Sequence, residues 1–104
     1  MTCQISVCYG VPKDPKAFDE YYRTTHIPLA AKVPGLSGFA WGKCKSLDGS
    51  APAHYAVAYL QFDTEDDLKK GLASPEMREA GRDLRNFATG GSTMFTQQLE
   101  TSGA

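Results

Sequence analysis

Polar and apolar positions alternate from the start of the chain. Between Thr2 and Tyr9, Cys3, Ile5, Val7 and Tyr9 fall on one side and Gln4, Ser6 and Cys8 on the other. This is the period-2 pattern of a strand, rich in β-branched and aromatic residues, and it stops at Gly10 and Pro12. Asp14 followed by Pro15 reads as the N-cap and first residue of a helix. Beyond it Phe18, Tyr22, Thr25, His26 and Leu29 recur at helical spacing, with Asp19, Glu20 and Arg23 covering the rest of the surface. Pro28 disfavours helical backbone at Ile27. The pattern therefore predicts that the helix ends or kinks just after His26, with a short continuation up to Lys32 before Val33-Pro34-Gly35 turns the chain.

Residues 36–47 read as a second strand, with Phe39 and Trp41 on one face and Leu36, Ala40 and Cys44 on the other. Gly38 and Gly42 inside it predict a bulge, a bend or a close approach of another group. A turn-rich loop at 48–53 leads to residues 54–62, the most strand-like run, apolar on both faces. Thr64 with Asp67 three residues on opens a short helix that ends near Gly71. Ser74-Pro75-Glu76 opens another, whose Met77, Ala80, Leu84 and Phe87 make an inward stripe. After Gly90-Gly91, residues 93–99 alternate as a fourth strand, and 100–104 form a frayed tail.

The order is β-α-β-β-α-β, a ferredoxin-like α+β fold with a four-stranded antiparallel sheet and both helices on one face. The strands carry apolar side chains on both faces, so the face away from the helices needs a cover. A second copy of the chain, packed on a two-fold axis as a homodimer, is the economical one.

Composition narrows the function classes. With 104 residues the chain makes one domain, 1–104, with one core and little margin for a deep pocket. Eleven Lys and Arg against twelve Asp and Glu, interspersed, leave a net charge of -1 and no footprint for a nucleic-acid or anionic-membrane partner. No apolar run approaches the roughly 20 residues of a membrane helix, and the N-terminus lacks the basic and apolar regions of a secretory signal. A cytoplasmic protein is expected. Its three cysteines, Cys3, Cys8 and Cys44, have no CxxC spacing and read as small buried hydrophobes.

Candidate chemistry centres on His26, which shares a stripe with Tyr22 and precedes a proline that directs the chain's exit. At a helix C-terminus the dipole would favour the imidazolium and raise its pKa. Such a group either serves as an acid-base or hydrogen-bonding partner of a ligand oxygen or merely satisfies the last helix carbonyls, and the residues leave both readings open. Asp83, beside the inward stripe of the last helix, either faces and orients His26 or pairs with surface cations such as Arg82. Phe18, Tyr22, Trp41, Tyr55, Tyr59 and Phe87 supply aromatic walls for a pocket between sheet and helices, with plain core packing as the alternative. His54 belongs on the surface. The two histidines are 28 positions apart without thiols or carboxylates to complete a set, so no metal site is expected. No phosphate-binding glycine loop and no Ser-His-Asp or Cys-His arrangement appears, which leaves cofactor-free acid-base chemistry or simple binding.

Tyr21-Tyr22, His26-Ile27-Pro28-Leu29-Ala30 and Lys32-Val33-Pro34-Gly35-Leu36 resemble the hallmark of the EthD family, a Phe-x-x-Tyr-Tyr start, H-x-P-L-A and K-x-P-G-L. Tyr55, Leu60-x-Phe62, Ser74-Pro75-Glu76, Asp83 and Phe87-Ala88-x-Gly90 continue the likeness over nearly the whole chain. The resemblance implies a dimeric α+β barrel of two subunits packed sheet to sheet. It also implies a pocket between sheet and helices for an apolar or aromatic small molecule, with His26, then Tyr22 and Asp83, as the polar centre, and with Trp41 and Tyr55 as wall. Three functions follow from it: a cofactor-independent isomerase, dehydratase or cyclase; a non-catalytic accessory protein of ether or xenobiotic degradation, working beside an oxygenase system; or a cofactor-independent monooxygenase.

Overall fold

The computed structural model describes residues 2–102. The chain runs β1 (Cys3–Tyr9), α1 (Pro15–Tyr21), a π-turn (Tyr22–His26), α2 (Ile27–Ala30), β2 (Leu36–Lys43), β3 (Ala56–Phe62), α3 (Glu65–Leu72), α4 (Pro75–Asp83), a 3-10 turn (Leu84–Asn86) and β4 (Ser92–Gln98). The strands lie in the order β2-β3-β1-β4, every pair antiparallel, which is the expected ferredoxin-like sheet. Glu100 to Ser102 have no regular structure, and the end of the expected tail lies outside the described residues.

Each helix start uses the cap its residues announce. Asp14 Oδ1 accepts from the Ala17 amide at 3.1 Å, Thr64 Oγ1 from Asp67 at 3.1 Å and Ser74 Oγ from Met77 at 3.1 Å, with Pro15 and Pro75 in first-turn positions where no amide hydrogen is needed.

Pro28 does not end the first helix. The helix carries on through it by widening: the Ile27 amide donates to the Tyr22 carbonyl, five residues back, and α2 continues to Ala30. Proline at 28 can give no hydrogen bond to the Thr24 carbonyl, and its ring would clash with that carbonyl in a regular helix. One extra residue in the turn relieves both problems. The same insertion rotates the stripe, so that Thr25 is exposed while Tyr22 and His26 are buried, and His26 sits inside a continuous helix instead of at its C-terminus.

The core lies between the helices and one face of the sheet, where Cys3, Ile5, Val7 and Tyr9 of β1 meet Ala56, Ala58, Leu60 and Phe62 of β3. Tyr9, Phe18, Tyr22 and Phe87 fill it as an aromatic layer, with ring centroids 5.2 to 5.7 Å apart in edge, tilted and stacked contacts. Such pairs contribute about 0.5–1.5 kcal/mol each beyond the area they bury. In β2 a register shift between Leu36 and Gly38, the bulge foreseen at the glycine, brings Leu36 opposite Phe62. Leu36 thus shares the helix-side face with Phe39 and Trp41, against the alternation expected, because the irregularity changes the side-chain parity along the strand.

The far face of the sheet is mixed, not apolar throughout. Gln4, Ser6, Gln61 and Gln97 form a hydrogen-bonded strip across β3, β1 and β4, in which Ser6 Oγ donates to Gln97 Oε1 at 2.8 Å and Gln61 Nε2 to Gln4 Oε1 at 3.1 Å. Tyr59 and Phe95, 37% and 46% exposed, flank Ser6 from its two neighbouring strands. All seven residues of the edge strand β4 are exposed.

Gly10 and Gly90 cross where β1 leaves the sheet and β4 approaches it. A Cβ on Gly90 would lie 2.3 Å from the Val11 carbonyl oxygen, and one on Gly10 would lie 2.2 Å from that of Gly90. Backbone cannot yield as a flexible side chain does, so Gly90→Ala should destabilise the fold by about 1–3 kcal/mol. A urea unfolding midpoint unchanged from the parent would contradict this packing.

Candidate functional site

Tyr22 and His26 open and close the π-turn, and their rings stack at 5.3 Å with 26° between planes. Both rings face a cavity of about 360 Å³ between sheet and helices. Ile5, Val7, Ala58 and Leu60 make its sheet side, and Met77, Ala80 and Leu84 of the last helix its other side. Leu72 and Met94, both about half exposed, stand where it opens beside β4. The limit set by chain length is thus less severe than expected. Alanines at 30, 58 and 80 leave volume that larger side chains would take, so a small domain still holds a pocket of ligand size.

The lining is almost wholly apolar. Its hydrogen-bonding side chains are His26, Tyr22, Tyr9 and Thr96. His26 is 5% exposed, and its Nδ1 lies 2.9 Å from Asp83 Oδ2. The other carboxylate oxygen, Asp83 Oδ1, accepts from the Tyr21 hydroxyl at 2.6 Å and from Asn86 Nδ2 at 3.0 Å. Burial alone would raise the Asp83 pKa, but the hydrogen bonds from Tyr21, Asn86 and His26 outweigh it and hold the carboxyl below its ordinary range. An ionised carboxylate only accepts, so Nδ1 carries the hydrogen and the neutral ring keeps a lone pair on Nε2.

For His26 itself burial dominates and lowers the pKa, with the bond and charge of Asp83 acting in the opposite sense. This reverses the rise expected from a helix C-terminus, because the ring sits in mid-helix within an aromatic core and far less of the helix dipole reaches it. Burial also pushes the Tyr22 phenol up to about 12, against a lowering by the hydrogen bond from Tyr9. Tyr9 is raised as well, first by burial and then by its closeness to Tyr22. Both phenols therefore stay protonated near neutral pH.

The expected polar centre of His26, Tyr22 and Asp83 comes together, with Asp83 behind the histidine and not on the cavity wall. Asp83 does not pair with Arg82, which bonds Glu79 at 2.9 Å. The expected aromatic walls lie elsewhere. Phe18 and Phe87 form the layer behind Tyr22 and His26, the Phe87 ring 4.5 Å from the imidazole. Trp41 packs on Tyr22 at 4.6 Å, and the Arg23 guanidinium lies over the Trp41 ring at 5.4 Å. The Tyr55 hydroxyl donates to Asp19 Oδ1 at 2.7 Å, and Lys43 pairs with the same carboxylate. These four brace the first helix against the core and against β2. They do not line the cavity. Tyr59 is on the opposite face of the sheet, and His54 is exposed.

Three residues of the site do not stand out in the sequence. Tyr9 follows Ile5 and Val7 on the same strand face, a signal that was present but reads first as core. Asn86 stands three residues after Asp83, the spacing at which helical side chains meet. Tyr21 reaches Asp83 across 62 positions, and no local pattern announces that contact.

The profile of the EthD domain matches residues 12–91. An uncharacterised 11.0 kDa protein from the thcB-thcC intergenic region of Rhodococcus erythropolis is 44% identical over 98 residues, 94% of this chain and 95% of that one. The chain belongs to the EthD family. Among solved structures, an EthD family protein from Bacillus halodurans is 28% identical with a TM-score of 0.87, the match covering 96% of this chain and all of that one. A dimeric ferredoxin-like protein of unknown function from Thermobifida fusca, 18% identical, shares the fold at a TM-score of 0.71 over 95% of this chain and 92% of that one.

The His26 environment sets a pH dependence. Its folded pKa lies below the unfolded value of 6.5, so the unfolded chain binds the proton more readily. The stability tied to the neutral ring is complete above that value and is lost as pH falls from it toward the depressed folded one. A nuclear magnetic resonance titration of His26 should give a midpoint below 6.5, and Asp83→Asn should move it lower still, since the carboxylate is what raises it. A midpoint above 6.5 would overturn the account in which burial dominates.

Proposed function

We propose that this EthD protein is a cytoplasmic homodimer that binds an apolar or aromatic metabolite in each subunit and catalyses proton transfer on it, as an isomerase, dehydratase or cyclase, without a cofactor. One observation carries this reading: Asp83 holds Nδ1 of a buried, neutral His26 whose ring lines an apolar cavity. In the mechanism we infer, Nε2 removes a proton from the substrate, and Asp83, fixed by Tyr21 and Asn86, stabilises the imidazolium that results. Charge left on the substrate would spread to an oxygen that the Tyr22 hydroxyl can meet with a hydrogen bond. The imidazolium then returns the proton at a second position.

The dimer is supported by the half-exposed Tyr59 and Phe95 on the far face of the sheet and by the open edge of β4, which carries no charged residue or proline. The dimeric relative of the same fold points the same way.

Deuterium uptake from heavy water into apolar ketones with acidic C–H bonds, 2-tetralone first, tests the catalytic reading without knowledge of the natural substrate. The protein should accelerate exchange, and His26→Ala should lower the rate by about 10²–10⁴-fold, the usual range for a general base. Full exchange activity in His26→Ala would remove His26 from the mechanism. Ketone binding without exchange would identify a non-catalytic carrier beside an oxygenase system, and product formed only with dissolved oxygen would identify a cofactor-independent monooxygenase. For the dimer, light scattering should give twice the chain mass, and Phe95→Lys with Tyr59→Lys should halve it; a monomeric parent would remove the homodimer.

A further inference from the structure

The hydrogen-bonding groups on the cavity wall are few enough to specify what a ligand must bring. His26 gives its one ring hydrogen to Asp83, so toward the cavity the imidazole is an acceptor. Tyr22 is placed the other way. Its hydroxyl carries a hydrogen that it can give to a ligand oxygen, and its ring stands on the cavity wall beside the imidazole. An acceptor and a donor thus stand side by side on stacked rings 5.3 Å apart, in a lining that holds no lysine or arginine. A ligand oxygen that only accepts, as in an ether, satisfies Tyr22 and leaves Nε2 unpaired. A carboxylate or phosphate also lacks the hydrogen for Nε2, and it would be buried without a counter-charge and on the same side as the carboxylate of Asp83. A hydroxyl can donate to the one and accept from the other.

We infer that the cavity binds an uncharged hydrophobic molecule carrying a single hydroxyl head group, a phenol or an enol, whose O–H donates to His26 Nε2 and whose oxygen accepts from Tyr22. The rest of the molecule lies against Leu60, Met77, Ala80 and Leu84, where no side chain offers a hydrogen bond. This rests on the cavity being the ligand site proposed above and adds the chemistry of its occupant. It sets an alcohol-bearing ligand apart from the ether that the family name suggests.

Isothermal titration at pH 7 with four probes of one shape, 4-butylphenol, 4-butylanisole, butylbenzene and 4-butylbenzoate, tests it on the intact protein. The phenol should bind at least about tenfold more tightly than the anisole or butylbenzene, the loss expected when a buried polar group is left unpaired, and the benzoate should be the weakest. Tyr22→Phe should weaken the phenol to near the level of butylbenzene while leaving butylbenzene unchanged, with the near-ultraviolet dichroism of the variant used to show that it is folded. Equal affinity for phenol and anisole, or a preference for the benzoate, would overturn the head-group assignment while the cavity remained the ligand site. No binding of any probe by folded protein would overturn both the assignment and the proposed site.

Discussion

Pro28 has no amide hydrogen, and it stands where the first helix would need one. A regular helix would ask it to bond the Thr24 carbonyl and would press its ring against that oxygen. The chain answers with one wide turn over Tyr22–His26, and the Thr24 hydroxyl, bonded to the Glu20 carbonyl at 2.8 Å, lies on the same turn. That local solution has long-range results. It turns Thr25 to solvent and stacks Tyr22 on His26 at the cavity wall. It also presents the imidazole to Asp83, 57 positions further along. Wide turns of this kind recur at functional sites.

An imidazole buried among Tyr22, Phe87 and the sheet residues is costly to protonate and costly to leave unbonded. Asp83 removes the second cost at Nδ1 by accepting from it, and Tyr21 and Asn86 remove the cost that Asp83 would itself incur. The result is a neutral ring of one tautomer with its remaining nitrogen free to act. Tyr9 and Tyr22 repeat the device with hydroxyls. In an apolar cavity a few such fixed groups count for more than they would in water, because nothing competes for them and little reorganisation is needed when a ligand arrives.

The two faces of the sheet are handled differently. The helix side is packed with aromatic rings around the cavity, while the far side has a strip of amides and a hydroxyl between two partly exposed rings. A strip of that kind is adequate toward water and equally adequate against a second sheet, whereas β4 leaves backbone groups at an open edge with no charge to discourage pairing. The cavity opens beside this same strand, so whatever covers the edge also bears on access to the site.

How much was legible in advance follows from the range of the forces involved. Strand alternation, the caps at Asp14, Thr64 and Ser74, the element order and the pairing of strands as a ferredoxin-like sheet were all readable, because each depends on neighbours a few residues apart or on the small number of ways to cover a sheet. The family resemblance carried His26, Tyr22 and Asp83 together, and the structure joins them. Phe18, Trp41, Tyr55 and Phe87 do not line the cavity beside His26, and the sequence could not tell this, because an aromatic at helical or strand spacing reports only that it faces inward, not whether another side chain or empty space meets it. The bulge at Leu36–Gly38 and the wide turn before Pro28 each add a residue, which swaps the faces along the strand and rotates the stripe of the helix, and a fixed period cannot anticipate either. By itself, then, the sequence determined the elements, their caps and the sheet that joins them. Only the tertiary structure decided where the cavity lies, which histidine nitrogen faces it and which way the proton affinity of that ring moves, since these depend on contacts across 57 or more positions and on space left unfilled between them.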